Sequence, residues 1–186
     1  MTMNREQANE LLRQYITNER MLNHCYASEA VLRALAVRLG QDQEKWGLAG
    51  LLHDLDIEVV QADPLRHGLE TARILSEQGV DADVVEAVKM HNEMATGMER
   101  TTLFQHALAA GETITGLIVA TALVYPDKKL ASVKVKSITK RMKEKAFAAS
   151  VSREKIMECE KTGLTLEEFV TISLTAMQGI SGQLGL

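Results

Sequence analysis

Two prolines in 186 residues leave almost nothing to break a helix: Pro64 and Pro126 are the only residues that lack a backbone N–H. β-Branched residues gather in one stretch, "ITGLIVATALV" at 114–124, and even there small residues intervene. Elsewhere apolar residues recur at helical spacing and predict about nine or ten helices, at 4–17, 19–38, 42–53, 64–78, 81–91, 101–124, 130–147, 152–162 and 165–180. Gly40 and Gly79 fall just past helix ends, Asp63 before Pro64 reads as an N-cap followed by a first-turn proline, and Thr165 with Glu168 forms a capping box. The last six residues, "SGQLGL", are expected to fray. No repeat or linker divides the chain, so the expectation is an all-α fold in a single compact domain over residues 1–186.

The charge balance narrows the partners. A net charge of −4 and few aromatic residues argue against nucleic acid, which needs a basic surface or stacking platforms. The longest apolar run, "GLIVATALVY", is too short to span a bilayer, and the charged "MTMNREQANELL" does not read as a signal peptide. The two cysteines, Cys25 and Cys159, form no CxxC pair and no disulfide framework. A protein of the reducing cytoplasm, without membrane or nucleic-acid partner, is the expectation.

The apolar segment "LAGLLHDLDIE" at 48–58 ends its most hydrophobic turn in His53 and Asp54. Burying an imidazole and a carboxylate together is costly unless something compensates. Helical phase turns three further histidines inward: His24 shares a face with Val31 and Leu35, His91 with Val84 and Val88, and His67 with Thr71 and Ile74. One such histidine is ordinarily a core residue bonded to a carbonyl. Four in one chain, with Asp54, point to a shared cation, and the second oxygen of Asp54 is free to reach a second ion. Glu112 supplies another inward acid, on a stripe with Leu108, Ala109, Gly116 and Val119. His106 lies about 120° away on that helix and is left out.

The ordered set His24, His53-Asp54, His67 in "RHGLETARIL", His91 in "MHNE" and a late acid resembles the HD-domain superfamily of metal-dependent phosphohydrolases, over roughly residues 20 to 125. The segment "VKVKSITKRMKEKAFAAS" is similar to that of a small bacterial subfamily of predicted HD hydrolases, and 126–180 would be a helical C-terminal extension. The resemblance implies His24, His53 and Asp54 as primary metal ligands, and His67 and His91 as holders of a second ion bridged by Asp54. The family pattern resembles "AADELTG" where this chain has "AAGETITG", so Glu112 stands in the usual aspartate position.

On that reading the cofactor is one or two divalent ions from among Mn, Fe, Co, Ni, Mg and Zn, since oxygen and imidazole donors do not choose between them. The substrate is a small phosphate ester, a nucleotide among the candidates, attacked by a metal-activated water. Asp54 and Asp56 are the catalytic candidates, Asp56 and Glu58 being placed to position water or to protonate a leaving group. Arg66, Lys89, Lys136 and Lys140 are candidate phosphate contacts, the last two from a basic run that also reads as a solvated helix face. Two other readings stay open: a di-iron HD-type oxygenase, and a non-catalytic nucleotide-binding HD domain.

Overall fold

Short polar side chains set most of the helix starts. Asn4, Asn18, Asp42, Asp81 and Thr102 each accept from backbone N–H groups of the first turn that would otherwise be unpaired. The resulting computed structural model describes residues 3–186, and among them it has helices and turns but no strand. The α-helices are α1 (Arg5–Tyr15), α2 (Glu19–Leu39), α3 (Gln43–Leu52), α4 (Leu69–Glu77), α5 (Ala82–Met90) and α6 (Glu93–Thr96), followed by α7 (Leu103–Leu123), α8 (Val135–Met142), α9 (Arg153–Met157), α10 (Leu166–Gly179) and α11 (Ser181–Leu184). Short 3-10 turns occupy Leu130–Ser132 and Glu158–Thr162. One hydrophobic cluster runs from Ala8 in α1 to Leu184 in α11.

The protein is therefore all-α, as the scarcity of proline requires, but four segments differ from expectation. The helix expected at 64 starts at Leu69, because residues 64–68 form turns and Gly68 takes a left-handed φ of 88°. Asp63 caps only a local turn, accepting from Leu65 N. The helix expected over 130–147 shrinks to α8. Leu130 and Val133 are buried in the preceding segment, and the Arg153 guanidinium gathers the carbonyls of Arg141, Glu144, Phe147, Ala148 and Val151, holding the segment after α8 in turns. The terminal residues do not fray: Leu184 is buried, and its carbonyl accepts from Asn23 Nδ2 on α2. α6 was not legible at all.

α2, α3 and α7 form the centre. α2 and α3 cross so closely that a Cβ on Gly50 would stand 2.6 Å from the backbone oxygen of Ser28. Nothing there can give way, so glycine is required. Buried Glu29 on α2 accepts from Arg5 of α1 and from Arg33, whose other nitrogens hold Glu44 on α3. α7, with 21 residues, is long and apolar enough to cross a membrane, which the ten-residue run considered above did not suggest. Most of it is packed inside this fold, including Gln105, His106, Thr115 and Thr121.

Beyond α7 the chain folds back to brace α5. Glu158 accepts from Arg100 and from His106 Nδ1 on α7, while Arg100 also holds Glu93. Burial works against the Glu158 charge, yet the bonds from Arg100 and His106 hold its pKa below the usual value of 4.5. Glu93, opposed by burial and favoured by Arg100, is lowered to about 2. Both groups have folded-state pKa values below the unfolded ones, so their stabilisation is present above about pH 4.5 and is lost as pH falls below it. The melting temperature is expected to drop between about pH 4.5 and pH 2, and Glu158→Gln to flatten that slope while lowering stability at neutral pH. An identical acid slope in the variant would remove this cluster from the account.

Candidate metal centre

Two helix ends carry the same device. His53 is the C-cap of α3, and its Nδ1 lies 2.9 Å from Gly50 O; His91 is the C-cap of α5, and its Nδ1 lies 2.5 Å from Val88 O. A carbonyl only accepts, so each Nδ1 must carry the proton. The bond satisfies a carbonyl at the helix end and fixes the ring, leaving Nε2 with a free lone pair.

The other two histidines are oriented by side chains. His67 Nδ1 donates to Asp56 Oδ1 at 2.7 Å. His24 Nδ1 donates to Thr115 Oγ1 at 3.0 Å, since that hydroxyl spends its own hydrogen on Glu112 O. In its neutral form each of the four rings therefore turns an Nε2 lone pair inward, and they meet in pairs: His24 with His53 at 3.1 Å and His67 with His91 at 3.0 Å.

Between the pairs stands Asp54. Its Oδ1 is 3.1 Å from His67, 3.3 Å from His53 and 3.4 Å from His91, and its Oδ2 is 3.4 Å from His24. Glu112 Oε2 lies 3.8 Å from His24 Nε2, while its Oε1 accepts from Thr113. Two groups can each surround one ion, His24 with His53 and Glu112, and Asp54 with His67 and His91. Two nitrogens bonded to one ion at about 2.1 Å stand about 3.0 Å apart when they meet it at a right angle, close to the spacing within each pair. The donors fit divalent metal.

Facing lone pairs and a carboxylate repel one another unless positive charge lies between them. Without metal that charge is protonic. Burial opposes it at His67, but the bonds to Asp54 and Asp56 prevail and raise its pKa to about 10. His24 is raised in the same way, against burial, by Asp54 and Glu112. His53 is fully enclosed, and burial lowers it to about 3. Asp54 is held well below its usual range although burial opposes its charge, because His53, His24, His67 and His91 surround it. Metal entering such a site displaces protons.

Asp56 requires a correction. It is fully buried, Oδ2 accepts from Gly68 N at 2.8 Å and Thr71 N at 2.9 Å, and Oδ1 is taken by His67. Both oxygens are bonded and none of the residue is exposed, so the carboxylate has no open face toward water or a leaving group. It acts through His67 and also starts α4, which explains why that helix begins late. Gly68 is needed here because a Cβ would meet His91 Cε1 at 3.1 Å in a backbone conformation that side chains rarely adopt.

None of the four basic candidates bonds to a residue of the cluster. Lys136 and Lys140 are exposed on α8; Lys140 lines a cleft with Thr121 and Val124, about 14 Å or more along α7 from Glu112. No residue of the cluster lines that cleft. Lys89 pairs with Glu86 at 3.7 Å, and Arg66 is exposed in the turn before His67. Glu58 is bound to Thr17 and to Asn18 N, closing a loop. Gly111 and Gly116, on either side of Glu112, admit Leu32 of α2 and Val151.

Sequence reasoning missed the supports. Arg100 donates to the carbonyls of Met90 and His91, and Lys155 to that of His91, so the brace from beyond α7 holds the end of α5 where His91 sits. No spacing rule exposes these contacts, whereas Thr115 was within reach, three residues after Glu112.

If the two groups hold separate ions, His91→Ala should lower bound metal by roughly one ion per chain and Asp54→Asn should bring it near zero, since Asp54 touches both pairs. Metal analysis of dialysed protein reads this directly. Equal, partial losses in the two variants would mean one shared ion.

A search of the curated proteins returned no match. A family model described as "HD domain" matches residues 21–124, from the first turns of α2 to the end of α7, and so spans every residue of the cluster. The match covers more than half of the chain, and the protein belongs to the HD domain family.

Proposed function

We propose that this protein is a metal-dependent phosphohydrolase that cleaves a small phosphate ester. The observation that carries the reading is the carboxylate of Asp54 set between two histidine pairs, Oδ1 within 3.1–3.4 Å of His67, His53 and His91 and Oδ2 3.4 Å from His24. His24, His53, Asp54 and Glu112 would hold one ion, and Asp54, His67 and His91 the other. Divalent ions bound there supply Lewis acidity, lowering the pKa of water and neutralising charge on phosphoryl oxygens.

The chain's own residues then have limited tasks. Asp56 and Thr115 fix two imidazoles in the tautomer that leaves Nε2 free, and the carbonyls of Gly50 and Val88 do the same for the C-cap pair. Enclosure of His53 and His91 keeps bulk water from competing for their nitrogens. In the net reaction water adds to phosphorus, the ester P–O bond breaks, and the alcohol leaves with a proton. Inorganic phosphate is the second product.

The test is phosphate release from a panel of phosphate esters by protein loaded with Mn²⁺, Co²⁺ or Mg²⁺, with oxygen consumption followed on iron-loaded protein. Release that is lost in His53→Ala supports the proposal; oxygen consumption without phosphate release would favour the oxygenase reading instead. Chelation should also lower the melting temperature by about 5–10 °C if metal is present at about a hundred times its dissociation constant, a contribution of about 2.7 kcal/mol. Glu112→Gln keeps the size and removes the anion, so it should weaken metal retention at least tenfold. Wild-type retention in that variant would exclude Glu112 as a ligand.

A further inference from the structure

Beside the metal centre lies a cavity of about 500 Å³ between α2, α7 and the C-terminal turn. Its walls are apolar: Ala27 on α2, Gly116, Val119, Ala120 and Leu123 on α7, and Leu184 on α11. His24 and Thr115 belong both to this cavity and to the metal centre, so the two spaces adjoin. Little in the lining can read a polar ligand. The Thr115 hydroxyl is committed to Glu112 and His24, and the Asn23 amide nitrogen reaches Leu184 O. No tryptophan, tyrosine or phenylalanine lines it to stack on a base.

One cation stands in this lining. Arg20 lies one turn before His24 on the same face of α2, about 6 Å along the axis, and is exposed. Its side chain has no ion pair or hydrogen bond among the described residues, in contrast to Arg5, Arg33, Arg73, Arg100 and Arg153. A free guanidinium beside a metal ligand is suited to bidentate contact with a phosphate.

We infer that the substrate is a phosphate monoester of an apolar alcohol, whose hydrocarbon body fills this cavity and whose phosphate meets Arg20 at the metal centre. The inference rests on the hydrolase reading for the phosphate group. The apolar body is argued from the cavity alone. A nucleoside fits poorly, because its base and ribose would lose water without gaining hydrogen bonds.

The test uses the metal-loaded full chain and two non-hydrolysable probes, n-octylphosphonate and methylphosphonate, measured by calorimetric titration. The octyl probe should bind at least tenfold tighter. Ala120→Phe, which fills the cavity, should erase that preference without changing metal content, and Leu123→Glu, at a half-exposed wall position, should reduce it if the first variant folds poorly. Arg20→Gln should weaken both probes alike, with Arg20→Lys recovering part of the loss. Equal binding of the two probes, or a preference that survives both cavity variants, overturns the inference. Phosphate release from octyl phosphate and from nucleoside monophosphates is assayed in parallel. Release from nucleotides with no octyl preference would keep the reaction and discard the cavity, whereas an octyl preference with no release from any ester would keep the cavity and discard the reaction.

Discussion

A carboxylate enclosed by four imidazoles is the constraint on which the rest of this structure depends. Asp54 cannot keep its charge in a buried site unless something positive stands next to it, and each surrounding imidazole in its neutral form presents a lone pair. Protons can fill the gap only in part, since His53 is too enclosed to accept one near neutral pH. Divalent ions would satisfy all five groups together. The helix ends, the Asp56 turn and the Thr115 bond all serve to keep those lone pairs aimed at one another.

The surroundings divide this work unequally. His53 and His91 are fixed by the backbone of their own helices, which costs no additional side chain. His67 depends on an anion and His24 on a neutral hydroxyl, and an anionic partner makes an imidazole the stronger donor. The two histidine pairs are thus alike in geometry and unlike in electronic support. The segment beyond α7 adds a further layer, because Arg100 and Lys155 hold the carbonyls at the end of α5 while Glu158 holds Arg100.

Much of this was legible from spacing. Proline scarcity and apolar periodicity indicate helices, and helical phase turns His24, His53 and His91 inward; His67 meets them there from a turn, not from the helix expected to begin at 64. Phase says nothing about hydrogen bonds that close across turns. Asp56 reads as a catalytic candidate because its partners, Gly68 N and Thr71 N, come twelve and fifteen residues later in a segment that looked continuously helical. The lysine run reads as a phosphate site because charge is visible in sequence and distance is not. Arg20, four residues before His24, carries a clear spacing signal, but only the folded chain shows the cavity it overlooks.

Gly50 touches neither ion position nor any ligand atom of the centre through a side chain, since it has none. Its contact with Ser28 sets how near α3 may come to α2, and His53 ends one of those helices while His24 rides on the other. Interhelical spacing and ligand spacing are therefore a single variable. A methyl group at position 50 would act as a wedge between α2 and α3, opening the centre from outside it.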